Sequence, residues 1–210
     1  MNIYFAGVLF DHKALVGNKL LARAIEKVSQ ERYHFFLPQE FPFPDDSAVK
    51  IRNNDLKMLI KADMILLNFD GLELDSGTVV EYVCSKMLDI PALLLRTDSR
   101  IVHEDVKASL PWNLMCAGFP RSRVMLYNAM SNFAKYDDNY EAFYNNLAEK
   151  TVEELDSLKK EPSLFCGKSN LLQHYRTVLS LLGSDIDADF SAEELDEIVS
   201  NKINNGIYGE

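Results

Sequence analysis

The chain has 210 residues, of which 47% are hydrophobic and 26% charged, enough for one full-sized domain with a real core. A net charge of −10 at pH 7, from 32 acidic against 22 basic residues, argues against a nucleic-acid polymer or an anionic membrane as partner. No apolar run approaches the roughly 20 residues of a membrane span. Cys84, Cys116 and Cys166 fall in no C-x-x-C pair and suggest reduced thiols in a cytoplasmic protein. His12, His34, His103 and His174 are scattered without ligand spacing, read as surface or core residues, and no metal is expected.

Residues 2–10 open with an apolar and aromatic run that reads as a buried first strand rather than a signal peptide. Leu20, Leu21, Ala24, Ile25 and Val28 recur at helical spacing, predicting a helix over 13–30. "YHFFL" at 33–37 is a second short strand closed by Pro38, and 39–47, with Pro42 and Pro44, is loop. A helix over 48–61 follows. "DMILLNF" at 63–69 has the composition of a strand covered on both faces. "DGLELDS" leads into a helix over 77–88, and "PALLLR" at 91–96 is the fourth strand. This alternation implies an α/β fold, a parallel sheet with helices on both faces. Such sheets bind ligands beyond the carboxyl ends of their strands, where Tyr4 to Gly7, Gln39 and the 70–76 loop should gather. "RVMLY" at 123–127 reads as a fifth strand, and 138–159 as an acidic amphipathic helix. The tail carries "NLLQHYRTVLSLL" at 170–182 and a helix opened by Ser191 with Glu194 three residues on. The expected organisation is a catalytic-type domain over 1–160 and a helical extension over 161–210, an appended subdomain or an oligomer contact.

Candidate chemistry concentrates in "LELDSGTVVEY", residues 72–82. Asp75 before a helix is an ordinary cap, and Glu81 six residues on can simply complement the helix dipole. Against this, the pair follows the third parallel strand, and helix side chains tilt toward the N-terminus, aiming Glu81 into the loop mouth. The positive helix end should also keep Glu81 ionised, as a nucleophile must be. Asp55, after Asn53 and Asn54, lies in an apolar-periodic helix and reads equally as part of a solvated polar face. Gln39 alone means little, and Asn113, beside the single tryptophan Trp112, is by itself a turn former. Gly7 makes no dinucleotide fingerprint.

Together these stretches resemble the nucleoside 2-deoxyribosyltransferase family. The resemblance runs through "IYFAG" (3–7), the Gln39 loop, "NND" (53–55), "DSGTVVE" (75–81) and "NLM" (113–115), in order over roughly 2–130. It implies a flavodoxin-like domain, acting without cofactor, that exchanges the base on a 2′-deoxynucleoside. Glu81 matches the nucleophile and Tyr4 the phenol that holds it. Asp55 and Asp75 match the pair facing the base, Gln39 and Gly7 line the base or sugar, and Asn113 and Met115 match residues lent to a neighbouring subunit. Partners would be deoxynucleosides and free nucleobases, and the assembly a homo-oligomer, a dimer or trimer of dimers, with shared sites.

The chain departs from the family pattern at Val83 and Val8, where many relatives carry glycine and proline, and in its longer tail. Val83 leaves base preference open. Tyr208 resembles a C-terminal aromatic that relatives place near a neighbour's site. Asp89, near the end of the Glu81 helix, is expected outside the site. A hydrolase passing the glycosyl group to water and a non-catalytic nucleotide-binding module are the rival functions.

Overall fold

The computed structural model describes residues 1–41, 47–100 and 113–209; the Pro42–Pro44 loop, His103 and Trp112 lie outside them. Its elements in chain order are β1 (Asn2–Ala6), α1 (His12–Val28), β2 (His34–Phe36), α2 (Ala48–Lys61), β3 (Met64–Asn68), α3 (Ser76–Met87), β4 (Ala92–Arg96) and β5 (Ser122–Leu126). Then come α4 (Ala129–Phe133), α5 (Tyr140–Leu158), α6 (Lys168–Leu182), α7 (Ser184–Ala188) and α8 (Ala192–Asn204). The short α4 and α7, and 3-10 turns at Pro38–Glu40 and Leu114–Cys116, escape a periodicity reading because none completes two turns.

All five strands pair in parallel, in the order β2-β1-β3-β4-β5. The parallel α/β sheet is what the alternation implied, and its strand order is the flavodoxin-like one that the resemblance implied. β3 and β4 are buried along almost their whole length, which is why their sequences are apolar at consecutive rather than alternate positions. Helices α1 and α5 pack together on one face, α2 and α3 on the other. Helix starts are fixed by side-chain caps: Asp11 for α1, Ser47 for α2, Asp75 for α3, Asn139 for α5 and Ser191 for α8. Each contributes about 1 kcal/mol. Strand order reverses between β1 and β3, so the crevice at their carboxyl ends is the ligand end of the sheet.

The C-terminal helices close the opposite pole, where β3, β4 and β5 begin. Arg121, just before β5, pairs at 2.9 Å with Asp89, just before β4, and both are buried. The guanidinium also donates to the carbonyls of Asp89 at 2.7 Å and Ile207 at 2.6 Å. Asp89 accepts further from the Ser163 hydroxyl and the Leu164 N–H. Tyr208 donates to the Leu88 carbonyl and shares a hydrogen bond with Tyr175. Its hydroxyl is therefore occupied inside its own chain, at the pole away from the ligand end, and does not reach out to a neighbour's site. Lys202 donates to the Ala62 carbonyl, and Asn205 to Asp63. The same helices also bind α2 along its flank, through Arg52 to the Leu182 carbonyl, Lys57 to Asp189 and Lys61 to Glu194.

Candidate active site

Alternation along β1 turns Tyr4 to one face of the sheet and Ile3 and Phe5 to the other. Tyr4 is fully buried and its hydroxyl donates to Glu81 Oε1 at 2.5 Å, so its face is the one α3 covers. Glu81 stands in the second turn of α3. That helix begins where it does because Asp75 Oδ2 accepts from the Thr78 N–H at 2.8 Å and the Thr78 hydroxyl at 2.9 Å. Gly77 leaves room for this cap, since a Cβ there would stand 3.1 Å from Asp75 Oδ2. Both readings of "LELDSGTVVEY" thus hold: Asp75 caps the helix, and Glu81 meets a buried phenol.

Asp55 reaches the same place from α2, close enough for its charge to act on both Tyr4 and Glu81. Burial raises the Glu81 carboxyl to about 7; the Tyr4 hydrogen bond opposes the rise, and the charges of Asp55 and Asp75 add to it. Burial lifts Asp55 to about 6. Tyr4 is held well above the ordinary phenol value by burial and by the Glu81 and Asp55 charges, so it remains a donor. Burial thus works against the expectation that the helix end keeps Glu81 ionised, because desolvation of a carboxylate opposes a partial dipole one turn away. Chemically, the cluster is two carboxyls titrating near neutrality, one of them aligned by a neutral phenol.

The remaining candidates are placed less centrally. Gln39, in the turn after β2, donates its Nε2 to the Leu15 carbonyl of α1 at 2.8 Å. Gly7 lets the ends of β1 and β3 approach, for a Cβ there would lie 3.1 Å from Asn68 Cβ. Asn113 is exposed and its Oδ1 accepts from the Met115 N–H at 2.9 Å, while Met115 is 81% exposed. Among the described residues no hydrogen bond joins Gln39, Asn113 or Met115 to the Tyr4–Glu81 pair.

Two supporting residues escaped the sequence reading. Asp70 accepts from the Thr97 N–H and hydroxyl and from the Asp98 N–H, locking the β3 and β4 exit loops together. Arg52 donates to Asn53 Oδ1 at 2.9 Å, fixing the residue two before Asp55. An aspartate in the loop just past a parallel strand was the one signal for the first; nothing in the pattern marks the second. Among the described residues no group of three or more His, Cys, Asp or Glu side chains could hold a metal ion, and no helix is long and apolar enough to cross a membrane. A cavity of 700 Å³ is lined by Val8, Asn18, Asn68 and Tyr144 and not by Tyr4, Asp55, Asp75 or Glu81. It belongs to the other face of the sheet, and the carboxyl cluster, with its coupled titration, is the stronger candidate for chemistry.

No curated protein matches the chain. Among solved structures it is similar to a conserved protein from Enterococcus faecalis V583, at 22% identity over 75% of this chain and 98% of that one, with a TM-score of 0.49. It is similar also to a 2-deoxyribosyltransferase from Bacillus psychrosaccharolyticus, at 22% identity over 52% and 82%, TM-score 0.42. A third is a 2-desoxiribosyltransferase from Leishmania mexicana, at 24% identity over 66% and 98%, TM-score 0.47. The family model for nucleoside 2-deoxyribosyltransferase matches residues 3–115, a span running from β1 through Asp55, Asp75 and Glu81 to Met115. With more than half of its length matched, the chain belongs to the nucleoside 2-deoxyribosyltransferase family.

Proposed function

We propose that the protein moves the 2-deoxyribosyl group of a 2′-deoxynucleoside from one nucleobase to another by a retaining double displacement. The observation that carries this reading is the 2.5 Å hydrogen bond from buried Tyr4 to Glu81, with Asp55 beside it. A carboxylate aligned by a phenol, next to a second carboxyl of different environment, is what retaining glycosyl transfer requires. Ionised Glu81 attacks the anomeric carbon, the C1′–N bond breaks, and its electron pair leaves with the base. Asp55 protonates the departing nitrogen, a contribution of about 10²- to 10⁴-fold. An incoming base then attacks the glutamyl-deoxyribosyl ester, gives its proton to Asp55, and releases Glu81 as a carboxylate. Tyr4 stabilises Glu81 both before attack and as leaving group.

Asp75 uses only Oδ2 in its cap, leaving Oδ1 to meet a base edge. Gln39 and Gly7 border the base and sugar, with Gln39 Oε1 uncommitted. Asn113 and Met115 serve a neighbouring subunit's site in a cytoplasmic homo-oligomer. The exposed apolar side chains Leu114, Met115, Val124, Leu126, Val80 and Val83 support such an assembly. Residues 161–210 form a helical extension outside the chemistry.

Deoxyinosine incubated with free adenine or cytosine, followed by chromatography, tests the proposal. The new deoxynucleoside should appear, and acid-quenched protein incubated without acceptor should carry one deoxyribosyl unit on a peptide spanning 76–82. Release of deoxyribose whatever the acceptor would mark a hydrolase, and binding without base release a non-catalytic module.

A further inference from the structure

The 700 Å³ cavity lies at the carboxyl ends of β1, β3 and β4, on the α1/α5 face and across the sheet from Tyr4 and Glu81. Its volume falls within the range of about 300–1,000 Å³ typical of small-molecule sites. Leu21, Leu95, Phe143 and Leu147 give it an apolar and aromatic lining.

Three independent features mark it as more than a packing defect. Asn18 is only 6% exposed and lines the cavity; its Nδ2 donates to the Val8 carbonyl at 3.0 Å, and among the described residues no protein group donates to its Oδ1. Tyr144 also lines the cavity, and its hydroxyl has no protein hydrogen-bond partner among the described residues. Neither atom is among the buried unpartnered side-chain atoms of the described residues, so both face the space of the cavity, free to hydrogen-bond an occupant in place of water. Third, Gly17 sits inside α1, where glycine is unfavourable relative to alanine. Its backbone does not need glycine, and a Cβ there would meet only the Tyr144 hydroxyl, at an ordinary 3.6 Å. What a side chain at position 17 would do is occupy the cavity beside Tyr144.

The charges select the ligand. Among the described residues, Asp11, Asp70 and Asp98 line the cavity against Lys13 and Arg100, three acids to two bases, which disfavours an anion. Asp70 is engaged by Thr97 and Asp98, Asp98 by Arg100, and Asp11 through Oδ1 by the start of α1, so at most one carboxylate oxygen, Asp11 Oδ2, is left to meet a cation, too few for a cation site. We infer that this cavity is a second binding site, distinct from the carboxyl cluster, for an uncharged planar heterocycle of nucleobase type. An N–H of the ligand donates to Asn18 Oδ1, an acceptor meets the Tyr144 hydroxyl, and the ring packs against Phe143. The site shares its β1 and β3 exit loops with Gly7 and with the segment leading to Asp75, so an occupant would bear on the loops that frame the catalytic pair. The choice of nucleobases as probe rests on the proposed function, whereas the cavity and its two unpartnered groups do not.

Equilibrium dialysis with free adenine and free hypoxanthine tests this. The wild-type chain should bind two equivalents. Gly17→Leu and Tyr144→Phe should reduce only one of them, the first by abolishing it and the second by about tenfold, as loss of one hydrogen bond predicts. Gly17→Ala should weaken the same equivalent while melting no lower than wild type, which separates site filling from misfolding. Asp55→Asn should affect only the other equivalent. One equivalent sensitive to Asp55→Asn and indifferent to positions 17 and 144 overturns the second site and leaves the transferase reading intact. One equivalent sensitive only to positions 17 and 144 upholds the second site and counts against that reading. No bound base at all, or two equivalents untouched by Gly17→Leu, refutes the inference.

Discussion

Glu81 and Asp55 titrate near one another, so their protons belong to the pair. The proposed transfer requires Glu81 ionised and Asp55 protonated. With Glu81 at about 7 and Asp55 at about 6, kcat/KM against pH should be a bell peaking between those values. Asp55→Asn should abolish the alkaline limb. It should also lower the rate by about 10²- to 10⁴-fold with bases that need protonation. A stability measurement gives a check independent of turnover. The folded-state value of Glu81 lies above its ordinary 4.5, so the folded protein holds a proton that the unfolded chain releases between about 4.5 and 7. This group therefore favours folding at low pH and penalises it as pH rises through that window. Glu81→Gln, which keeps an acceptor for Tyr4, should melt higher than wild type at pH 8, with the difference shrinking toward pH 5. Equal melting temperatures throughout would mean that the carboxylate carries no burial penalty.

At the scale of elements, α2 shows what a sequence reading can and cannot find. Its span of 48–61 and its apolar face were legible from spacing, and Asp55 was marked by its neighbours Asn53 and Asn54. The same pattern could not show that Arg52, Lys57 and Lys61 are held by partners at positions 182, 189 and 194, since such pairings depend on how distant helices cross. In α3 the cap and the carboxylate six residues on were readable, but the burial that decides Glu81's protonation was not, because it needs Tyr4 from another strand. Asp89 illustrates the same limit. It lies outside the site as expected, but it is no free surface carboxylate. Asp89→Ala would strand the buried Arg121 guanidinium and should cost about 3–5 kcal/mol. Lys57→Gln, which breaks a partly exposed pair with Asp189, should cost no more than about 1 kcal/mol. Urea unfolding of the two variants at constant m would establish the ranking.

For the whole molecule, the exposure of Leu114 and Met115 bears on assembly. If Asn113 and Met115 complete a neighbour's site, Asn113→Ala should fold normally and lose activity. Mixed with Glu81→Ala under subunit exchange, it should regain part of the wild-type turnover, as active sites with both wild-type contributions form. Persistent inactivity despite exchange, followed by mass spectrometry of differently tagged subunits, would exclude sharing. The other pole has a different significance. Arg121 Nη2 finds its acceptor only when Ile207 supplies its carbonyl, and the Leu88 carbonyl its donor only when Tyr208 arrives. The bonds span 86 and 120 residues, so the turns that launch β4 and β5 stay unfinished until the last helices have folded back. Long-range closure of this kind slows folding. During synthesis, the half of the protein that carries Tyr4, Asp55 and Glu81 would leave the ribosome with its base still open, a vulnerable interval that ends when the tail docks.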